Sequence, residues 1–309
     1  MKQIATAAIV GMGALGMLYG AVIQEAIGKE RFAFVMDDKR YEKYNNKTWF
    51  CNKKEMSFSM LPSREGKPAD LVIIAVKYPA LSSAMDVAEP LIGRDTTILS
   101  VMNGISSEEL LAERFGAEHL IMTVAQGMDA MHFKNELVYT RMGKLYIGVP
   151  ASASGVRKER VEQVSEFFYR IGMPYVKEED ILYRMWAKYM LNVGVNQTCM
   201  VYECGYGKAT TPGTEEMMCF VAAMREVVLL ANLEGIGLSE KDVTQYIELM
   251  KTLDPKATPS MGQDRINRNP SEVEAFAGTI LKLAKKHGIP APANEFLYRR
   301  VKEIEKEYL

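Results

Sequence analysis

Cysteine, histidine and excess charge of either sign are all scarce in this chain. Four cysteines, Cys51, Cys199, Cys204 and Cys219, are scattered through 309 residues with no metal-ligand or redox spacing. They read as reduced core thiols of a cytosolic protein, not as a disulfide framework. The three histidines, His119, His132 and His287, form no HExxH pattern, which argues against a zinc site. The 38 Lys and Arg balance 39 Asp and Glu for a net charge of −1, so there is no electrostatic case for nucleic acid or an anionic membrane. No uninterrupted apolar run reaches the ~20 residues of a membrane span. The opening MKQIATAAIVGMGALGMLYG is apolar enough to imitate a secretory signal. Its regular glycines and strand-like start argue instead for a folded segment of a cytoplasmic protein. The sequons at Asn46 and Asn196 carry no meaning in that setting.

What is present is an ordinary globular composition, 48% hydrophobic and 25% charged, in a chain long enough for about two domains at roughly 150 residues each. The first half alternates strand-like and helix-like segments. Apolar runs at 4–10, 31–36, 70–76 and 96–101 read as buried parallel strands. Segments 14–27, 81–91 and 107–115 read as the helices among them, the rhythm of a parallel sheet covered on both faces. Shorter β-like stretches at 120–124, 137–141 and 145–149 look like an antiparallel or mixed extension of that sheet. A helix over 156–171 and a short strand at 173–176 follow. Beyond Glu179 the pattern is helical, over 179–203, 214–235, 239–252, 271–287 and 292–308. The stretch Lys251–Pro270, with three prolines, reads as a loop able to carry functional residues. The expectation is an α/β domain over 1–177, built on a parallel sheet, and an all-α domain over 178–309.

Gly11-Met12-Gly13-Ala14-Leu15-Gly16 is a GxGxxG placed after an apolar strand and at the opening of a helix, the context that gives the pattern physical meaning. Gly11 serves the tight turn, Gly13 the approach of a pyrophosphate, and Gly16 close helix–strand packing. The helix N-terminus, with Ala14 and Leu15 in its first turn, offers free N–H groups and a positive dipole end to phosphate. After the second strand comes Asp37, 21 residues beyond Gly16, near the place of an acid that hydrogen-bonds the ribose 2′-OH of NAD. Lys39 and Arg40 follow and suit a 2′-phosphate. All of these residues also suit a solvated turn, so the residues leave NAD and NADP open.

Segment 185–203, MWAKYMLNVGVNQTCMVYE, is apolar almost all round and is expected to be a buried helix. Lys188, Asn192 and Asn196 recur at i, i+4 and i+8 and share one face over roughly 12 Å. A buried lysine and two buried amides need partners, and such a stripe suits a polar small-molecule site. A lysine snorkelling to solvent and amides bonded to neighbouring loops account for it equally well.

Taken in order, the GxGxxG, Lys77 in AVKYP, Asn103-Gly104 in SVMNG, the WxKxxxNxxxN of Trp186–Asn196, Pro259-Ser260-Met261 with Gln263-Asp264, and Ser271-Glu272-Val273-Glu274 resemble the ketopantoate reductase (2-dehydropantoate 2-reductase) family over nearly the whole chain. The resemblance implies a Rossmann-type domain and a C-terminal helical domain like that of 6-phosphogluconate dehydrogenase. It also implies hydride transfer from NADPH to a branched 2-keto acid, giving pantoate for coenzyme A synthesis. It makes Lys188 the general acid and Glu272 the residue that holds substrate and orients the lysine. Asn192, Asn196 and Ser260 would bind the hydroxyl and carboxylate of the substrate. Asn103 and Lys77 would lie where cofactor and substrate meet, and Gly11, Gly13 and Gly16 would hold the pyrophosphate. A cationic proton donor fits a keto-to-hydroxy reduction, which builds negative charge on oxygen. Glu272 in a first helical turn also suits the helix dipole. Ser271-x-x-Glu274 fits a capping box, which makes Glu274 structural.

The chain departs from the family at three places. Asp37-Asp38 stand where the family carries an arginine for the NADP phosphate. Gln197 and Thr198 replace the proline after the second asparagine, and Ala257-Thr258-Pro259 lacks an asparagine before Ser260. NAD therefore stays open beside NADP. A related 2-keto acid or opine-type dehydrogenase and a non-catalytic nucleotide-binding sensor are the alternatives. Expected partners are a small 2-keto acid, no nucleic acid and no membrane. The 21 methionines leave room for a homodimer interface as well as a core.

Overall fold

The computed structural model describes residues 2–309. The chain divides into two compact units. One runs to Met102 and resumes over Ser107–Ile181; the other comprises Asn103–Ser106 and Leu182–Leu309.

The first unit is built on a five-stranded parallel sheet. Its strands are β1 (Ala7–Val10), β2 (Phe32–Met36), β5 (Met60–Pro62), β6 (Leu71–Ile74) and β7 (Thr97–Ser100), with β3 (Trp49–Cys51) and β4 (Lys54–Met56) inserted between β2 and β5. The spatial order is β5-β2-β1-β6-β7, so the winding direction reverses between β1 and β6. Ligands of such sheets bind beyond the carboxyl ends of the strands at that reversal. Register pairs Ala7 with Phe32 and with Leu71, and Leu71 with Thr97. Alternate residues point to opposite faces. Ile9, Phe34, Ile73 and Leu99 join one core with Met17, Leu18 and Ile23 of α1 (Ala14–Ile27) and Val164, Phe167 and Phe168 of α5 (Gly155–Arg170). Val10, Val35, Ile74 and Ile98 join the other with Leu81, Ala84 and Val87 of α3 (Leu81–Ala88) and Leu111 of α4 (Ser107–Phe115). Burial on both faces is why these strands read as unbroken apolar runs rather than alternating ones.

The later β segments depart from the expected extension of this sheet. β8 (Met122–Met128), β11 (Met142–Gly148) and β12 (Tyr175–Lys177) form a separate three-stranded sheet, β8 antiparallel and β12 parallel to β11. One bridge, Ile98 to Leu120, ties the segment before β8 to the parallel sheet. The stretch expected at 137–141 goes elsewhere. β9 (Met131–Phe133) and β10 (Glu136–Val138) pair with β3 and β4 in a four-stranded sheet. The β3–β4 hairpin turns on Asn52 and Lys53, both at positive φ. Strands of three residues leave too short an alternation to read from sequence.

Among the described residues the second unit has helices and no strand. They are α6 (Ile181–Tyr202), α7 (Tyr206–Ala209), α8 (Glu215–Leu233), α9 (Glu240–Lys251), α10 (Ser260–Ile266), α11 (Thr279–His287) and α12 (Pro292–Glu305). α6 is central. Met190, Val193, Cys199 and Met200 are fully buried, and α8 crosses so closely at Gly194 that a Cβ there would lie 2.6 Å from the Phe220 ring. Thr214 caps α8, and Ser239 with Asp242 forms a capping box on α9, the arrangement that satisfies first-turn amides. The expected loop at 251–270 is only partly a loop, because α10 starts at Ser260 directly after Pro259, a favourable helix-opening position for proline's fixed φ. The expected capping box at Ser271 and Glu274 does not form. Ser271 N–H donates to Glu305, Glu274 accepts from Tyr298 and Lys302, and residues Glu274–Gly278 form a π turn before α11. No helix among the described residues is long and apolar enough to cross a membrane.

Candidate active site

The glycine turn follows β1 at the sheet's reversal point. Gly11 has φ +110°, and a Cβ on it would sit 2.3 Å from the Ala75 carbonyl oxygen at the end of β6. A side chain is excluded there by both backbone conformation and space. At Gly16, in the first turn of α1, a Cβ would lie 2.0 Å from the Gly11 carbonyl oxygen, so helix and turn meet backbone to backbone. Gly13 differs: a Cβ on it would meet no protein atom within 4 Å. It is the N-cap of α1, and no side chain caps the helix. The first turn, with Ala14 and Leu15, therefore presents backbone N–H groups to open space, which fits a dinucleotide pyrophosphate.

Asp37 ends β2 in an extended conformation and is the N-cap of α2 (Asp38–Asn45). Its carboxylate accepts the Arg40 backbone N–H at 2.8 Å and the Arg40 guanidinium at 2.7 Å. Burial pushes its carboxyl up, but the hydrogen bonds and charge of Arg40 outweigh that and hold it below the usual range. Asp38 pairs with Arg64, and Lys39 is exposed. The acid suited to a ribose hydroxyl and a base suited to a phosphate are thus engaged with each other. Lys77 is exposed beyond β6, at the start of a short 3-10 turn.

The second unit gathers the remaining candidates. Lys188, Asn192 and Asn196 lie along one face of α6, the first two half-buried and Asn196 buried. Asn103 follows β7 in sequence, and the chain turns beyond it through Gly104 at φ +104°. Lys188 Nζ donates to Asn103 Oδ1 at 2.9 Å. Asn103 Nδ2 donates to Glu272 Oε2 at 3.2 Å. Glu272 is itself only 4% exposed. One asparagine amide therefore joins the Lys188 amine to the Glu272 carboxylate.

One helical turn further along, Asn196 Nδ2 donates to Asn192 Oδ1 at 3.3 Å. Asn196 Oδ1 accepts the Ser260 hydroxyl at 2.8 Å and the Met261 N–H at 3.3 Å. All seven residues fall in the same unit. Together they make a lysine–amide–carboxylate chain beside a neutral hydrogen-bonding cluster. Two buried polar side chains of α6, Tyr189 and Gln197, also bond to the segment after Glu272. Sequence reading did not single them out for a role, because a tyrosine and a glutamine inside an apolar helix match no motif.

The family model "Ketopantoate reductase PanE/ApbA" matches residues 7–152, and "Ketopantoate reductase PanE/ApbA C terminal" matches residues 180–305. The 2-dehydropantoate 2-reductase of Aquifex aeolicus is 27% identical over 305 residues, 96% of each chain. The structure of 2-dehydropantoate 2-reductase from Geobacter metallireducens superimposes with a TM-score of 0.83 at 26% identity, covering 96% of this chain and 99% of that one. A D-mandelate dehydrogenase solved with NADH and anilino(oxo)acetate shares the fold, with a TM-score of 0.84 at 21% identity over 98% and 99% of the two chains. The two family models cover nearly the whole chain in order, and the chain belongs to the ketopantoate reductase family of NAD(P)-dependent oxidoreductases acting on CH–OH groups.

Proposed function

We propose that the protein reduces 2-dehydropantoate to pantoate, with Lys188 as the general acid. The observation that carries this reading is the chain from Lys188 Nζ through the Asn103 amide to the Glu272 carboxylate. Gly11–Gly16 would hold a nicotinamide dinucleotide, which would supply a hydride to the keto carbon. As that C–H bond forms, the carbonyl electron pair moves to oxygen. Lys188 Nζ gives its proton to this oxygen, which completes the alcohol, and solvent restores the ammonium. In sum, keto acid, NAD(P)H and one proton give hydroxy acid and NAD(P)⁺. A positioned general acid of this kind contributes about 10²–10⁴-fold.

Asn103 takes the Lys188 hydrogen bond on its oxygen and so aims the ammonium, while its nitrogen is held by Glu272. Glu272 supplies the compensating charge and an acceptor for a substrate hydroxyl. Asn192, Asn196 and Ser260 offer neutral donors and acceptors to the carboxylate and hydroxyl of a branched 2-keto acid. Lys77 and Asn103 also act toward the cofactor. We place the reaction in the cytoplasm, which accords with four free cysteines.

Purified protein mixed with ketopantoate and NADPH or NADH, followed by nicotinamide absorbance, tests the reading. Oxidation of either cofactor with ketopantoate preferred over other 2-keto acids is the expected outcome. A preference for a different 2-keto acid keeps Lys188 and reassigns the substrate. Tight cofactor binding without oxidation by any keto acid favours a sensor and overturns the proposal.

A further inference from the structure

Glu272 stands immediately before an unusual piece of backbone. Phe276 N–H donates to the Glu272 carbonyl at 3.1 Å, four residues back, whereas Gly278 N–H donates to the Val273 carbonyl at 2.9 Å, five residues back. This widening is the π turn over Glu274–Gly278. A π turn inside a helix is rare and locally less favourable than α geometry, so something outside it must hold it. The segment is fully closed to water at Ala275, Phe276 and Ala277, each 0% exposed.

Two side chains of α6 supply what the turn needs. The Ala277 N–H donates to Gln197 Oε1 at 3.2 Å, and the Tyr189 hydroxyl donates to the Phe276 carbonyl at 2.8 Å. Gln197 is itself 0% exposed. Its Nε2 donates to the Val193 carbonyl at 2.7 Å and reaches Asn294 Oδ1 at 3.5 Å. That pattern fixes the orientation of the amide, because Ala277 N–H can only donate and the Val193 carbonyl can only accept. An amide as deeply buried as that of Ala277 is expensive to leave unpaired, so Gln197 is an integral part of the turn. The bonds form one continuous path. Gln197 holds Ala277 and Tyr189 holds Phe276. Phe276 holds the Glu272 backbone, and the Glu272 carboxylate holds Asn103, which accepts from Lys188.

We infer that Gln197 is a positioning residue for the reduction, because its side-chain oxygen completes the π turn that sets Glu272 against Asn103 and Lys188. Tyr189 has the same role through the Phe276 carbonyl. This inference rests on the assignment of Lys188 and Glu272 above. It makes one helix the source of the acid and of the support for the carboxylate: Lys188 acts directly, and Gln197, nine residues on, acts through the neighbouring segment.

The test is ketopantoate reduction by the full-length protein as Gln197→Met, which keeps length and volume but loses the amide oxygen, in wild-type and Glu272→Gln backgrounds. Gln197→Met should lower kcat on the order of tenfold, the scale of a modest misplacement of a catalytic group, with the nucleotide KM within about twofold. In the Glu272→Gln background the same substitution should change kcat by less than about twofold, because residues acting through one another are not additive. The pH profile of kcat for Gln197→Met should shift from that of the wild type, and it decides the matter where Glu272→Gln turns over too slowly to measure. If Gln197→Met does not fold, Tyr189→Phe, which removes one oxygen, should lower kcat about threefold with the same non-additivity. Wild-type kcat in both variants, equal losses in both backgrounds or an unmoved pH profile overturns the inference while leaving the function standing. A wild-type protein that reduces no 2-keto acid overturns the function, and the inference with it.

Discussion

Around Gly13 there is space, whereas around Asn196 there is none. A Cβ on Gly13 would meet nothing within 4 Å. Asn196 is 4% exposed, and its amide is shared among Asn192, Ser260 and Met261. The glycine turn is a site made of backbone, shaped by the tight contacts of Gly11 and Gly16 with their neighbours. The α6 face is a site made of side chains, each oriented by another. Backbone and space are encoded locally, in six consecutive residues. Paired side chains are encoded at a distance: Lys188 and Asn103 are 85 positions apart, Asn103 and Glu272 are 169, and Asn196 and Ser260 are 64. The first kind of site should tolerate change in composition but not in volume, and the second the reverse.

The largest expected effect lies on the side-chain site. Lys188→Ala should lower kcat by about 10²-fold or more in steady-state reduction, the usual scale of general acid catalysis. Turnover equal to wild type would remove Lys188 from the mechanism. The glycine turn gives the next effect, and it should split in two. Gly16→Ala forces a methyl onto the Gly11 carbonyl and should destabilise the protein by about 1–3 kcal/mol in thermal or urea denaturation. Gly13→Ala has room in the protein and should leave stability within about 0.5 kcal/mol. It should nonetheless weaken dinucleotide binding about tenfold, the equivalent of 1.4 kcal/mol. Equal stability losses in the two variants would mean that Gly13 is small for packing and not for a ligand.

Ser260→Ala is a finer probe of the paired cluster. It removes the hydroxyl that donates to Asn196, while the Met261 N–H still donates to the same oxygen. One neutral hydrogen bond contributes about 0.5–1.5 kcal/mol, so the KM for the keto acid should rise by up to about tenfold with kcat within about twofold. A fall in kcat with KM unchanged would instead assign Ser260 to the transition state.

The same contrast explains what was legible in the sequence. Four of the five parallel strands were plain because each is buried on two faces, whereas β5, three residues long and only partly buried, was not read; Gly11–Gly16 was plain because its meaning is local. The i, i+4, i+8 spacing put Lys188, Asn192 and Asn196 on one face; the resemblance supplied Glu272 as a partner of Lys188, but the Asn103 amide between them was not foreseen, since no local rule joins residue 188 to residues 103 and 272. The β3–β4 hairpin escaped because each strand has three residues. The capping box at Ser271 and Glu274 was misread for a related reason. Glu305, 34 positions away, takes the Ser271 N–H, and the geometry of the turn depends on Gln197, 80 positions from Ala277. Tertiary partners overrode a sound local pattern.

The junction after β2 mixes both kinds of construction, and there the smallest effect is expected. Asp37 caps α2 through the Arg40 N–H and pairs with the Arg40 guanidinium, and the two side chains are 40% and 52% exposed. An exposed pair of this kind contributes little to stability, and its expected effect is on cofactor choice. If this pair faces the ribose, Asp37 ionised and Arg40 folded onto it should favour a 2′-hydroxyl over a 2′-phosphate. Asp37→Ser keeps a good N-cap, so stability should hold, and it frees Arg40. The ratio of kcat/KM with NADPH to that with NADH should then rise several-fold, up to about tenfold. Adding Arg40→Ala should cancel the gain. A ratio unmoved by Asp37→Ser would mean that the capping role is the whole role of Asp37, and that the discrimination between cofactors is made by residues other than this pair.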